Sequence, residues 1–404
     1  MQSIRHIYKI GKGPSSSHTM GPGFAAKICK KRNPDAEKFR VVLYGSLAKT
    51  GEGHGTDRVI REVLAPAEAE IQWVPELPEG AKHPNTLDLF PITNGVEGPR
   101  MRVFSVGGGD IVIDGEGDQG EQREEVYFEN SFAEIAQFCR WRHIHLWEYV
   151  ELCEGPEIWD YLSKVWKTMR WSIADGLSAS GELPGGLHLE RKAKLLYEKA
   201  VPNEVPQVRE CRIVCAYAYA VSEQNADNGT IVTAPTCGAC GVVPAVLRYM
   251  QERYSYSEER ILHALAVAGL VGNLVKRNAS ISGAECGCQA EIGAACSMAA
   301  AALCELAMMT IEQTEYAAEI ALEHHLGLTC DPICGLVQIP CIERNAVAAM
   351  RALNACNLSW FLCGTRSVSF DMVVKTMYQT GINLSHAFRE TSEGGLARLY
   401  RRNR

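Results

Sequence analysis

No apolar stretch of this 404-residue chain runs unbroken to bilayer length, because segments such as Ala264 to Val275 are interrupted by glycine or asparagine. A membrane-spanning role is not expected. The first residues, MQSIRHIYKIG, also lack the continuous apolar core of a secretory leader, so a cytoplasmic location is expected. Positive charge is in deficit: 41 Lys and Arg face 48 Asp and Glu, and the net charge is −7. With no basic stripe to offset that balance, nucleic acid is not an expected partner. Lysine is scarce beyond Val201, where only Lys276 and Lys375 occur, neither in the glycine-rich, phosphate-cradling setting of a pyridoxal Schiff base. A pyridoxal-dependent lyase is therefore disfavoured. No internal repeat of fixed period is present.

What the chain does have is a globular composition, 46% hydrophobic and 22% charged, and enough length for two or three domains. It also has 16 cysteines. In a long chain without a secretory leader, these point to thiol, metal or redox chemistry rather than to a disulfide framework.

The pattern predicts an α+β fold. Residues 39–45 read as a strand, 56–64 as a helix, 70–74 as a strand, and 101–106 with 111–114 as a hairpin across three glycines. The polar, acidic stretch 115–125 reads as an exposed loop. From about Ser131 the pattern turns helical, with alanine-rich segments near 207–222, 238–253, 258–275, 289–309, 311–326, 343–357 and 370–387. A boundary near residue 150 is expected, with a small α+β domain before it and an all-helical domain after it.

Four segments carry candidate chemistry. Cys288, Cys330 and Cys341 lie in short contexts, Glu285-Cys286-Gly287-Cys288-Gln289, Cys330-Asp331-Pro332 and Pro340-Cys341, that suit a ligand set. Three thiolates can hold a four-iron cluster and leave one iron open, but buried cysteine is also a common small hydrophobe. The long gaps between them match no compact ferredoxin or zinc signature. Gly13-Pro14-Ser15-Ser16-Ser17-His18-Thr19 offers four hydroxyls and an imidazole, suited to an anion or to a simple turn and cap. Gly53-His54-Gly55-Thr56-Asp57 places a histidine between a strand and a helix, where α/β proteins often bind ligands. Thr233 to Gly241 contains Cys237 and Cys240 as a C-x-x-C with no zinc partner pair. It reads as a loop entering a helix, with Thr236 toward a ligand.

Assembled in order, the chain resembles the single-chain, iron–sulfur-dependent L-serine dehydratases (L-serine ammonia-lyases) over nearly its full length. The motifs that carry the resemblance are GPSSSHTMGP (13–22), GHGTD (53–57), TAPTCGACGVVPAVL (233–247), NASISGAECGCQAEIGAACSMAAAAL (278–303), CDPICGLVQIPCIERNA (330–346) and ETSEGGLA (390–397). The resemblance implies that Cys288, Cys330 and Cys341 hold a [4Fe–4S] cluster and that the SSSHT and GHGTD loops reach over it. It implies conversion of L-serine to pyruvate and ammonia, the cluster acting as a Lewis acid on the hydroxyl. His54 is the candidate base, with His18 second. Ser16, Ser17 and Thr19 would hold the substrate carboxylate, helped by Thr236 and Asn278 from the helical domain. A homodimer is the expected assembly.

The chain departs from the family pattern in several places. Cys286 and Cys334 stand where the family usually has apolar or small residues, Cys237 where it has asparagine, and Glu52 where it often has lysine. The sequence ends Tyr400-Arg401-Arg402-Asn403-Arg404, without the terminal cysteine of many members. Two rivals follow: a lyase acting on L-cysteine, and a non-catalytic iron–sulfur or thiol sensor.

Overall fold

The computed structural model describes residues 1–116, 125–199 and 201–402. Residues 117–124 of the acidic stretch expected to be a loop, and the last two residues, lie outside the described part. Among the described residues no helix is long and apolar enough to cross a membrane.

The strands, in chain order, are β1 (Ile10–Lys12), β2 (Lys38–Tyr44), β3 (Glu68–Val74), β4 (Thr86–Thr93), β5 (Val96–Glu97), β6 (Met101–Gly107), β7 (Asp110–Ile113) and β8 (Thr230–Val232). Five of them form a sheet in the order β3-β2-β4-β6-β7, with β5 added to β4. Within it β2 and β3 are parallel, Lys38 opposite Glu68, and the other pairs are antiparallel. Parallel neighbours require a crossover, which the helices Gly45–Thr50 and Thr56–Leu64 supply. The five residues between those helices carry His54.

Alternation decides which sheet face is covered. Phe39, Val41 and Leu43 of β2 share one face with Leu87 and Leu89 of β4 and Val103 of β6, all fully buried. Over that face lie Ala25, Ala26 and Cys29 of helix Gly21–Arg32, and Ile60 and Leu64 of helix Thr56–Leu64. The expected strand and helix elements of this region are all present. The fold adds β4, which the pattern did not reveal because it contains Asp88 and Pro91. Asp88 lies opposite Arg102 in the ladder, and the two make a buried, two-pronged ion pair, with both N···O distances 2.8 Å.

The second body is helical. At its centre runs Ile292–Leu306 (IGAACSMAAAALCEL), nearly every side chain of which is buried. Six alanines let the helices Glu258–Asn278, Ile311–Glu323, Cys341–Leu362 and Val242–Tyr254 pack around it. Arg260 donates to the carbonyls of Glu305 and Leu306, satisfying acceptors at the helix's carboxyl end. The N-terminal residues belong to this body as well: Met1, Ile4, Ile7 and Tyr8 are buried in its core, and β1 pairs antiparallel with β8. The chain thus begins in the helical body, crosses to the sheet, and returns. That crossing carries the Ser15–Thr19 loop between the two.

Candidate active site

Two helix beginnings and one extended segment gather the cysteines. Cys288 lies in the turn just before the central helix, and Cys341 is the first residue of Cys341–Leu362. Thiolates at helix N-termini are favoured by the unpaired N–H groups and the macrodipole. Cys330 sits on an extended stretch stitched to the C-terminal region: its N–H donates to Phe388 O, and its carbonyl accepts from Glu390 N, both at 2.8 Å. All three thiols are buried.

Their electrostatics are mutual. A hydrogen bond from Cys330 pulls the Cys288 thiol below its ordinary pKa, helped by the Arg344 guanidinium, while Cys330 is pushed up by Cys288 and by burial. Cys341 is pushed up by burial and by the charge on Cys288. Arg344, three residues into the second helix, is anchored by donating to Thr329 O at 2.7 Å, and lies 3.5 Å from Asp331. Asn345 ties the loop after Thr236 to the same helix by accepting from Gly241 N (2.9 Å) and donating to Gly238 O (2.8 Å). Among the described residues no three His, Cys, Asp or Glu side chains converge closely enough to hold a single metal ion. Three buried thiols, pooled around one arginine, are a donor set suited to a group larger than one ion.

The sheet body delivers the histidines. Ser15 caps the turn Ser16–Met20 by accepting from His18 N, and Ser105 of β6 donates to Ser17 O at 2.8 Å. His18 is held at both ring nitrogens, Nδ1 to Ser17 Oγ and Nε2 to Ser46 Oγ, each 3.0 Å. Thr19 donates to His54 O (2.8 Å) and Thr56 donates to His18 O (2.6 Å), locking the two loops together. The imidazoles lie 4.7 Å apart between centroids.

His54 is the distinctive member. Its Nδ1 lies 2.9 Å from Thr50 O, and since a carbonyl only accepts, Nδ1 carries the proton. The lone pair is then on Nε2, which is buried and has no hydrogen-bond partner among the described residues. Burial lowers His54 from 6.5 to about 4, and burial together with His54 takes His18 well below its ordinary value. Both rings are neutral at pH 7. The His54 loop leans on the cysteine segment: a Cβ at Gly53 would stand 3.5 Å from Leu336 and 3.7 Å from the Cys334 carbonyl.

Two carboxylates that the sequence did not single out complete the site. Glu291 precedes the central helix, with Cys330 Sγ 4.0 Å from its Oε2 and the Thr236 hydroxyl beside it. Glu390, in the left-handed backbone region at φ 58°, places Oε1 3.9 Å from His18 Nδ1. Burial, then the charges of Glu291 and Cys288, pushes Glu390 up to about 8. The one available sequence signal was a charged residue set in an alanine-rich or glycine-rich context, where burial demands a partner.

The structure therefore brings together Cys288, Cys330, Cys341, His18, His54, Ser16, Ser17 and Thr236 around one region. Thr19 is present, but its hydroxyl is committed to the His54 carbonyl and to Ser15 N. Asn278 is not brought in. It is exposed at the end of its helix, and its amide donates to Asn130 O and Leu274 O. The departures fall nearby: Cys286 is buried against Gly381, and Cys334 is exposed with φ 56°.

Comparison with known proteins finds matches over nearly the whole chain. The family model described as serine dehydratase beta chain matches residues 3–76, and that described as serine dehydratase alpha chain matches residues 77–397. "L-serine dehydratase 2" of Escherichia coli (strain K12) is 39% identical over 449 aligned positions, with 98% of each chain covered. "L-serine dehydratase" of Streptomyces coelicolor is 37% identical, again with 98% of each chain covered. "L-serine dehydratase" of Mycobacterium tuberculosis is 39% identical, covering 98% of this chain and 97% of its own. The two matched segments meet between β3 and β4, inside one sheet, so the parts of the match are joined by strand pairing as well as by sequence. With thiols, imidazoles and hydroxyls converging and both segments matched end to end, the chain belongs to the serine dehydratase family.

Proposed function

We propose that this protein is an L-serine ammonia-lyase that converts L-serine to pyruvate and ammonia, with a [4Fe–4S] cluster held by Cys288, Cys330 and Cys341. The observation that carries the reading is the Nε2 of His54, unpartnered among the described residues, on a loop that packs against the segment joining two of the three buried thiols, Cys330 and Cys341. The relatives named L-serine dehydratase supply the substrate. When bound, the cluster would supply Lewis-acid polarisation of the substrate hydroxyl, a poor leaving group in water.

The chain's own residues do the rest. Ser16 and Ser17, buried at the start of the helical turn, would receive the substrate carboxylate. Thr19 acts through its neighbours, fixing the His54 backbone from below. His54 Nε2 removes the α-proton, and its Nδ1–H to Thr50 O bond holds the tautomer that makes this possible. His18, saturated at both nitrogens, orients the loop and borders the base; its bond to Ser46 offers a route for the proton out of the site. Loss of water then yields aminoacrylate, which hydrolyses to pyruvate and ammonia. Burial of both rings excludes water from the base.

The test is anaerobic reconstitution with iron and sulfide followed by a pyruvate assay, with L-serine and L-cysteine compared as substrates. Serine-dependent pyruvate that appears on reconstitution and vanishes on chelation supports the proposal. A protein that binds iron and sulfide but consumes no amino acid, or releases sulfide from L-cysteine alone, overturns it.

A further inference from the structure

An amino acid's α-carbon carries four different groups, and the reading above, on which this inference rests, assigns only three of them. The carboxylate goes to the serine loop, the hydroxyl to the thiol-held centre, and the α-hydrogen to His54. The ammonium group is left without a partner. We propose that Glu390 is the ammonium-binding residue, with Glu291 as the second carboxylate of the same subsite, and that this pair sets the requirement for an α-amino acid.

The geometry points there. Glu390 Oε1 is 3.9 Å from His18 Nδ1, and the His18 ring lies 4.7 Å from that of His54, so the carboxylate borders the histidine pair on its His18 side. Only 12% of its side chain is exposed. Glu291 faces it from the helical body, beside Thr236 and 4.0 Å from Cys330 Sγ. Among the described residues no lysine or arginine nitrogen lies within 4 Å of either carboxylate; Arg344 is engaged by Thr329 and Asp331. Two carboxyl groups and three thiols share a nearly dry space with one guanidinium, and ionising a carboxyl there without a counter-ion is costly. A ligand cation relieves that cost, and an α-ammonium is the cation this reaction brings.

The backbone supports the assignment independently. Glu390 adopts φ 58°, a conformation that costs a non-glycine residue on the order of 1 kcal/mol and persists only where the surroundings enforce it. Here the bond from Glu390 N to Cys330 O, and that from Ser392 Oγ to Pro332 O, enforce it. The carboxylate is thereby aimed at the histidines. The Nε2 of the 1% exposed His54, unpartnered among the described residues, supplies the separate indication that a ligand belongs in this space.

The experiment uses the anaerobically prepared holoenzyme and 3-hydroxypropionate, which is serine without its amino group. KM and kcat for L-serine, and the calorimetric Kd of 3-hydroxypropionate, are measured for the wild type, Glu390→Gln and Glu390→Asp, with iron and sulfide content determined for each. Removing one partner of a desolvated charge pair should raise KM for L-serine on the order of 10²-fold in Glu390→Gln. The Kd of 3-hydroxypropionate should stay within about 3-fold, since it makes no such pair, and Glu390→Asp should recover part of the loss. Parallel weakening of both ligands, or no change in either, overturns the assignment. If Glu390→Gln fails to fold or to retain iron, the wild type alone decides: 3-hydroxypropionate binding as tightly as L-serine overturns the assignment, and much weaker binding supports it. A wild-type holoenzyme that makes no pyruvate sinks the underlying reading, whereas turnover without the predicted split sinks only the ammonium subsite.

Discussion

Acidification should leave His54, the proposed base, working far below the pH at which an ordinary histidine fails. The perturbation is a drop from pH 7.5 to 5.5 in an initial-rate assay of kcat/KM, which reports the free enzyme's essential groups. A histidine at 6.5 would be about 90% protonated at pH 5.5 and activity would fall roughly tenfold. Burial without a charge partner takes His54 to about 4, so only about 3% is protonated at that pH and the base is essentially intact. The acid limb of kcat/KM should therefore show no inflection attributable to His54 above pH 5, once loss of iron has been excluded by rapid pH-jump measurements. Replacing His54 by Asn should lower kcat by roughly 10²–10⁴-fold, with a smaller change in KM. The same depression has a thermodynamic side. A histidine whose folded-state value lies below its unfolded value makes the unfolded chain the better proton binder at low pH, so its contribution is complete above about 6.5 and is lost as pH falls toward about 4. Finding an acid limb near 6.5 that disappears in His54→Asn would refute the claim that this ring is held neutral by burial.

Two further outcomes follow from the packing. A methyl group on Gly283 would stand 2.6 Å from Glu291 Oε2 and 3.2 Å from Cys330 Sγ, so Gly283→Ala should displace Cys330, one of the three proposed cluster ligands. The expected result is a folded protein with near-native circular dichroism that retains less than half the wild-type iron, read by iron and sulfide analysis. Replacing Arg102 by Met leaves the buried Asp88 carboxylate only the Tyr44 hydroxyl and Arg100 at 4.0 Å, and should cost on the order of 3 kcal/mol, seen as a lower denaturation midpoint.

Much of the scaffold was legible because its causes are local. Thr56, Ile60 and Leu64 recur at helical spacing behind a glycine, and all three are buried on one face of the helix that was expected there. The alanine-rich segments became the close-packed helices they suggested. β4 was missed because Asp88, on the face opposite Leu87 and Leu89, is buried through a pairing with Arg102 of a neighbouring strand that no local pattern announces. β1 was missed because its partner β8 lies more than 200 residues away in the chain.

The site divides along the same line. Its reactive types, the three cysteines, the serine loop and His54 between glycines, stand out as residues because their chemistry is intrinsic to the side chain. Their states do not, since a tautomer fixed by the Thr50 carbonyl, a pKa of about 4 and a thiol lowered by its neighbour are properties of surroundings. Asn278 and Glu390 mark the limit from opposite sides: one sits in a promising motif and points to solvent-side carbonyls, the other sits near the chain's end and is carried to the histidines. Sequence alone determined which groups are available and which helices and strands carry them, because composition and periodicity act over a few residues. Only the tertiary structure decided which groups meet and in what protonation state, because contact and desolvation depend on segments brought together from across the chain.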